Sequence, residues 1–131
     1  RMPELLDFPR AAAPLLVTLT AWRMLIHRAR LRAGESVLVV GAGGGVNSMA
    51  TQIAKLAGAR VIVVAGNSEK AARARELGAD VVLDRSRGDW VKELAALTDK
   101  RGVDVVVDNV GAATLNKSMR AVARGGRIVI V

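Results

Sequence analysis

The residues best placed to do chemistry lie in one stretch: Ser36-Val37-Leu38-Val39-Val40-Gly41-Ala42-Gly43-Gly44-Gly45-Val46-Asn47-Ser48-Met49-Ala50. Four glycines fall within five residues there. They follow an apolar, β-branched run, Val37 to Val40, that reads as a buried strand. Apolar residues then recur at helical spacing: Val46, Met49, Ala50, Ile53, Ala54 and Ala57. Strand, glycine turn and helix in that order give a glycine motif its meaning. The glycines permit a sharp bend and leave main-chain N–H groups bare. The helix start behind them adds unpaired donors and the positive end of a dipole. The chemistry this suits is the gripping of a pyrophosphate, as in a dinucleotide. Gly41, Gly43, Gly44, Gly45 and Val46 are the expected phosphate contacts. Asn47 stands where a third glycine is usual, and is expected to cap the helix or touch a phosphate oxygen.

The adenosine end is read at the close of the second strand. A carboxylate there, about 20 residues past the glycines, accepts from the 2′-hydroxyl of NAD. Here the place is Ala65-Gly66-Asn67-Ser68, with no acid before Glu69. Gly66, Asn67, Ser68 and Lys70 are therefore expected around the ribose, with Arg85 reaching the same edge from the third strand. This pattern favours the 2′-phosphate of NADP(H) over NAD(H). Asn109, Val110, Ile130 and Val131 end the fourth and fifth strands, where the nicotinamide half is expected. No catalytic residue and no metal ligand is assigned. Asp104 and Asp108 open and close one strand, too far apart for an acid–base pair, so turn or capping roles are expected. His27, the single histidine, sits between Ile26 and Arg28 on a helix and reads as a surface residue.

Composition bounds the elements that must position these groups. The 131 residues suffice for one domain with one core. Half are apolar, mostly Ala, Val and Leu, and the aromatics are Phe8, Trp22 and Trp90 alone. No apolar run approaches the roughly 20 residues of a membrane span. The polar opening Arg1-Met2-Pro3-Glu4 does not read as a signal peptide. The absence of cysteine excludes disulfides and thiolate metal sites within the chain and fits a reducing, cytoplasmic setting. The net charge of +8 is spread along the chain with no interleaved aromatics. Nucleic acid and membrane are thus not expected partners, and an anionic cofactor takes part of the charge.

The lead-in, residues 3 to 9, is expected to be irregular. One helix is expected from residue 10 to about 29, with Pro14 near its start and Leu15, Leu16, Leu19, Trp22, Leu25 and Ile26 on a wide apolar face. Apolar runs then begin near residues 37, 61, 81, 103 and 128, with helical patterns between them. Ser68, Asp89 and Thr114 are the expected caps of the intervening helices. Gly125-Gly126 reads as a turn before a fifth strand over 128–131. The pattern describes an α/β fold of three layers: a doubly wound parallel sheet in the order 3-2-1-4-5, with residues 1–34 as a lead-in and 35–131 as the dinucleotide-binding domain. A full sheet of this kind has a sixth strand, so the chain reads as a piece of something longer.

Several segments together are familiar: Leu19-Thr20-Ala21-Trp22, Gly34-Glu35-Ser36-Val37-Leu38-Val39, Gly41-Ala42-Gly43-Gly44-Gly45-Val46, Ala74-Arg75-Glu76-Leu77-Gly78-Ala79-Asp80, Gly102-Val103-Asp104-Val105-Val106-Val107-Asp108 and Gly125-Gly126-Arg127-Ile128-Val129. They resemble the medium-chain dehydrogenase/reductase superfamily, in its zinc-type alcohol dehydrogenase and quinone oxidoreductase branches. The resemblance covers essentially the whole chain. It implies a Rossmann cofactor domain whose partner, a GroES-like catalytic domain, is not in this sequence. It places Thr20 near the nicotinamide, with Val110, Ile130 and Val131 beside the carboxamide and ribose. Catalytic-zinc members carry a cysteine four residues before that threonine; Leu16 stands there, which implies zinc-independent, quinone-reductase-like chemistry. Many members have a tyrosine where Arg85 stands, a second departure. A structural zinc would belong to the other domain. The implied reaction is hydride transfer with a carbonyl, quinone or alcohol bound mainly by that domain, in a homo-oligomeric parent. The alternative reading is a non-catalytic dinucleotide-binding or polyanion-binding module.

Overall fold

A computed structural model describes residues 4–131; the start of the polar opening, residues 1–3, lies outside the described residues. The elements run α1 (Phe8–Ala12), α2 (Leu15–Trp22), a π-helical segment (Arg23–Arg28), β1 (Ser36–Val40), α3 (Gly45–Leu56), β2 (Arg60–Ala65), α4 (Ser68–Glu76), β3 (Val81–Asp84), α5 (Trp90–Leu97), β4 (Val103–Asp108), α6 (Leu115–Ala121) and β5 (Val122–Ile130). All strand pairs are parallel, and the order is β3-β2-β1-β4-β5, as the apolar runs imply.

The strands are aliphatic on both faces because both are covered. Val37, Leu38, Val39 and Val40 are at most 2% exposed. Successive side chains alternate. Val37, Val39, Val61, Val63, Val105 and Val107 share one core with residues of α2, α3 and α4. Leu38, Val40, Ile62, Val64 and Val106 share the other with Trp90, Val91 and Leu94 of α5 and Ala121 of α6.

Three expectations are corrected. The lead-in is already helical at Phe8, with Asp7 as its cap, and Pro14 splits the single expected helix into α1 and α2. Lacking an N–H, Pro14 cannot continue α1, yet its carbonyl accepts from Thr18 (2.8 Å) and opens α2. Secondly, the wide apolar face is largely bare: Leu15, Leu16 and Leu19 are 63%, 77% and 68% exposed. The reason is the side on which α2 docks. It meets α3 through Val17, so closely that a Cβ on Gly45 would stand 2.9 Å from Val17 Cγ1. The π-helical segment that follows, with its Ala29 N–H bonded to the Met24 carbonyl at 2.8 Å, turns both Met24 and Leu25 into the core.

Thirdly, Gly125-Gly126 is not a turn before the last strand but lies inside it. Val103 pairs with Val122 and Val105 with Arg127, so two residues of advance on β4 face five on β5. The extra residues are absorbed at Gly125, with φ +76°, and at Gly126, where a Cβ would meet Val122 Cγ2 at 2.6 Å. Glycine is the residue that this bulge admits.

The amino-terminal edge of the sheet is tied by an ionic cluster. Arg127 donates to both Glu35 oxygens (2.9 and 2.8 Å) and to the Ala29 carbonyl (2.8 Å). Asp104 accepts from the Ser36 N–H and hydroxyl, each at 2.8 Å, and pairs with Arg101. Burial opposes ionisation of Asp104, but the bonds from Arg101 and Ser36 outweigh it and hold its pKa at about 2. A depressed carboxyl pKa stabilises the fold above the unfolded value, and that gain is lost as pH falls through the folded one. The window here is from about pH 4 to pH 2. Asp104→Asn is expected to cost on the order of 2 kcal/mol at pH 7 and to flatten the acid limb of a melting-temperature profile through that window.

Candidate functional site

β1 ends in the middle of the sheet, between β2 and β4, where the strand order reverses. The crevice above such a point is where ligands of open α/β sheets bind. The glycine turn occupies it. Gly41 and Gly43 have φ of +100° and +96°, a conformation that side-chain-bearing residues rarely adopt. Gly44 is the N-cap of α3, with φ −79° and ψ 150°, and nothing lies within 4 Å of where its Cβ would be. Among the described residues no side chain caps α3. Its first N–H groups therefore remain available above a bare backbone, which is what an anion requires.

Asn47 takes a different place from the one expected. It is buried, and its Nδ2 donates to the carbonyls of Val40 (3.1 Å) and Gly41 (3.0 Å). Its Oδ1 accepts from Asn109 Nδ2 at 2.6 Å. The side chain neither caps α3 nor turns outward; it ties the end of β1 to the helix, and to the loop after β4.

The residues expected at the adenosine ribose lie around the ends of β2 and β3. Asn67, rather than Ser68, is the N-cap of α4; its Oδ1 accepts from the Lys70 N–H at 2.8 Å. Asparagine is the better placed of two competent capping residues, so the helix starts one position early. Lys70 lays its aliphatic stem over the turn, 3.5 Å from where a Cβ of Gly43 would be. Arg85 lies over Gly66, whose added Cβ would stand 3.1 Å from Arg85 Nε. Among the described residues neither cation is paired with a carboxylate. Between Arg85 and the β4 loop is a cleft of about 200 Å³ lined by Val40, Gly41, Val64, Arg85, Trp90, Val110, Thr114 and Lys117, among others.

The β4 loop is held by Asp108, which is fully buried. Its Oδ1 accepts from the N–H groups of Val110 (2.9 Å) and Gly111 (3.2 Å). The Thr114 hydroxyl reaches both carboxylate oxygens, and Ser118 Oγ reaches Oδ2 at 2.6 Å. Burial opposes its charge, but the bonds from Ser118, Thr114 and the backbone hold its pKa below the ordinary carboxylate value. Thr114 thus stands at the start of α6 without capping it, because its hydroxyl is spent on Asp108. Val110, Ile130 and Val131 are left 48%, 53% and 67% exposed at the same end of the sheet.

Thr20 is half-buried on α2, its hydroxyl bonded back to the Leu16 carbonyl at 3.0 Å. It lies one turn beyond Val17, the contact with Gly45 at the start of α3. His27 lines a separate groove with Leu19, Trp22, Arg23 and Arg28 on the outer side of α2, away from the glycine turn. Among the described residues no three of His, Cys, Asp and Glu come together, and no helix is long and apolar enough to cross a membrane. Sequence reasoning missed the Asn47–Asn109 pair and the depth of Asp108, since both depend on register across β1 and β4.

The profile of the family described as zinc-binding dehydrogenase matches residues 45–131. A quinone oxidoreductase of Pongo abelii is 36% identical over 131 residues, covering 100% of this chain and 40% of that protein. Among solved structures, an NAD-dependent alcohol dehydrogenase aligns with a TM-score of 0.93 at 47% identity, over 98% of this chain and 38% of its own. A mycobacterial protein complexed with NADPH aligns with a TM-score of 0.89 at 37% identity, over 99% and 40%. The chain spans about 40% of the length of the quinone oxidoreductases it matches.

Proposed function

We propose a function from one premise: this chain belongs to the zinc-binding dehydrogenase family. It is the dinucleotide-binding domain of a medium-chain dehydrogenase/reductase, and we read the whole protein as an NADPH-dependent oxidoreductase acting on a carbonyl, quinone or conjugated enone. The observation that carries this is the uncapped, bare glycine turn at the switch point. Residues 35–131 form the binding body, and the helical segment before it, packed on α3, brings Thr20 to it.

The residues fit the cofactor. Gly41, Gly43, Gly44, Gly45 and Val46 would hold the pyrophosphate through main-chain N–H groups. Gly66, Asn67, Ser68, Lys70 and Arg85 would surround the adenosine ribose. Thr20, Asn109, Val110, Ile130 and Val131 would flank the nicotinamide half. A nicotinamide held there supplies a hydride. The chain's own contribution is to bind, to orient and to shield one face from water with Val46, Val110 and Ile130. Residues for a zinc ion do not fit: the chain has no cysteine, one histidine, and an exposed Leu16 where zinc members carry a ligand.

Saturable quenching or thermal stabilisation by NADPH tests the reading; salt-sensitive retention on DNA without nucleotide binding would overturn it. Preference for NADPH rests on Lys70 and Arg85, which have no carboxylate partner among the described residues. Lys70→Ala and Arg85→Ala should each weaken NADPH about tenfold, the worth of one charge-assisted hydrogen bond, and leave NADH within twofold. Equal losses for both dinucleotides would remove these residues from the 2′-phosphate.

A further inference from the structure

One buried amide joins two parts of the site that the sheet leaves separate. The ladder between β1 and β4 ends at Val40 and Asp108. Beyond it, among the described residues, one hydrogen bond crosses from the glycine turn and α3 to the loop after β4: Asn109 Nδ2 donates to Asn47 Oδ1 at 2.6 Å. Asp108 holds that loop only from its own side, through Val110, Gly111, Thr114 and Ser118. Asn109 adds no second hold. Its Oδ1 is buried without a partner among the described residues, a costly placement that the bond to Asn47 helps to sustain. Once that bond is lost, the amide gains by turning out to water.

The other end of Asn47 is bonded to the turn. Its Nδ2 donates to the carbonyls of Val40 and Gly41. The Gly41 carbonyl shares a planar trans peptide with the N–H of Ala42, which lies on the opposite edge of that plane and makes no main-chain hydrogen bond. An anion taken up on that edge polarises the peptide. The Gly41 carbonyl becomes a better acceptor for Asn47 Nδ2, and Asn47 Oδ1 in turn a better acceptor for Asn109. A glycine at position 47, usual in such turns, would cut this chain of amides in its middle. We propose that Asn47 is a positioning residue that transmits occupancy of the phosphate turn to the loop after β4, so that the two parts of the site order together. This rests on the dinucleotide reading above.

The probe is 2′-phosphoadenosine 5′-diphosphate, which carries the paired phosphates of NADPH and nothing beyond them. Amide exchange at Val110 and Gly111 is measured on the intact protein, with and without saturating probe. In the wild type the probe should slow exchange at both positions about fivefold. Asn47→Ala should lose that slowing while still binding the probe. Asn109→Ala cuts the same chain from the loop side and should lose it too; if Asn47→Ala does not fold, this variant decides. A purely structural Asn47 would speed exchange equally with and without the probe, keep the wild-type ratio, and overturn the assignment. A wild type that binds the probe with no change at Val110 and Gly111 overturns it as well. If only NADPH binds, the same comparison is made with NADPH. A wild type that binds neither refutes the dinucleotide reading itself, and the assignment with it.

Discussion

Gly44→Asp is expected to abolish dinucleotide binding, by at least about 100-fold, while leaving the domain as stable as before. The two halves of that expectation come from different facts. Gly44 has an ordinary extended conformation, and its Cβ direction is open, so a side chain meets no obstacle. It is also the N-cap of α3, where aspartate ranks among the best residues and glycine a little lower. The carboxylate would bond the free N–H groups of the first turn and complement the helix dipole. Stability should stay level or rise by a few tenths of a kcal/mol. The same carboxylate would occupy the donors proposed to hold phosphate and set a negative charge against another. At about 4 Å and an effective dielectric near 20, like charges cost about 4 kcal/mol, which exceeds two decades of affinity. Denaturant unfolding beside NADPH titration checks both halves. Retained binding in a folded Gly44→Asp protein would mean that phosphate does not lie on this turn.

Asp108→Ala should be the most damaging single change to the loop that borders the cleft. The carboxylate is 0% exposed and serves two backbone N–H groups and two hydroxyls. Removing it strands those donors where water does not reach, and a loss of about 4 kcal/mol follows from one to three for each unmade buried bond after partial relaxation. Asp108→Asn keeps the shape and one acceptor, and should cost about half as much. Chemical unfolding gives the energies, and amide exchange at Val110 and Gly111 locates them. A loss under about 1 kcal/mol in the alanine variant would show that the loop has another anchor.

The sheet was legible because its strands are buried on both faces and so are written as short valine-rich runs, five of them at nearly even spacing. The glycine turn was legible because two of its residues must have positive φ. What sequence did not yield depends on three-dimensional approach. Leu15, Leu16 and Leu19 have the periodicity of a buried face, but Val17 docks instead because Gly45 lets it come close. β5 starts at Val122 rather than near 128, since its bulge is built from two glycines that in isolation look like a turn. Asn47 looked like a cap, and became a bridge only because Asn109 lies across from it at the end of β4. Ser68 and Asn67 compete for one cap, and local rules rank them too evenly to separate.

If the turn holds phosphate as proposed, it does so with peptide N–H groups, and these are the part of a protein that substitution cannot exchange. Redesign of the nucleotide preference has therefore little purchase at residues 41–46, where any change of side chain subtracts and none retunes. On the proposed reading the adjustable positions are Lys70 and Arg85, which reach over Gly43 and Gly66 from outside the turn. A laboratory seeking to exchange one coenzyme for its dephosphorylated counterpart would leave the glycines alone and randomise those two sites.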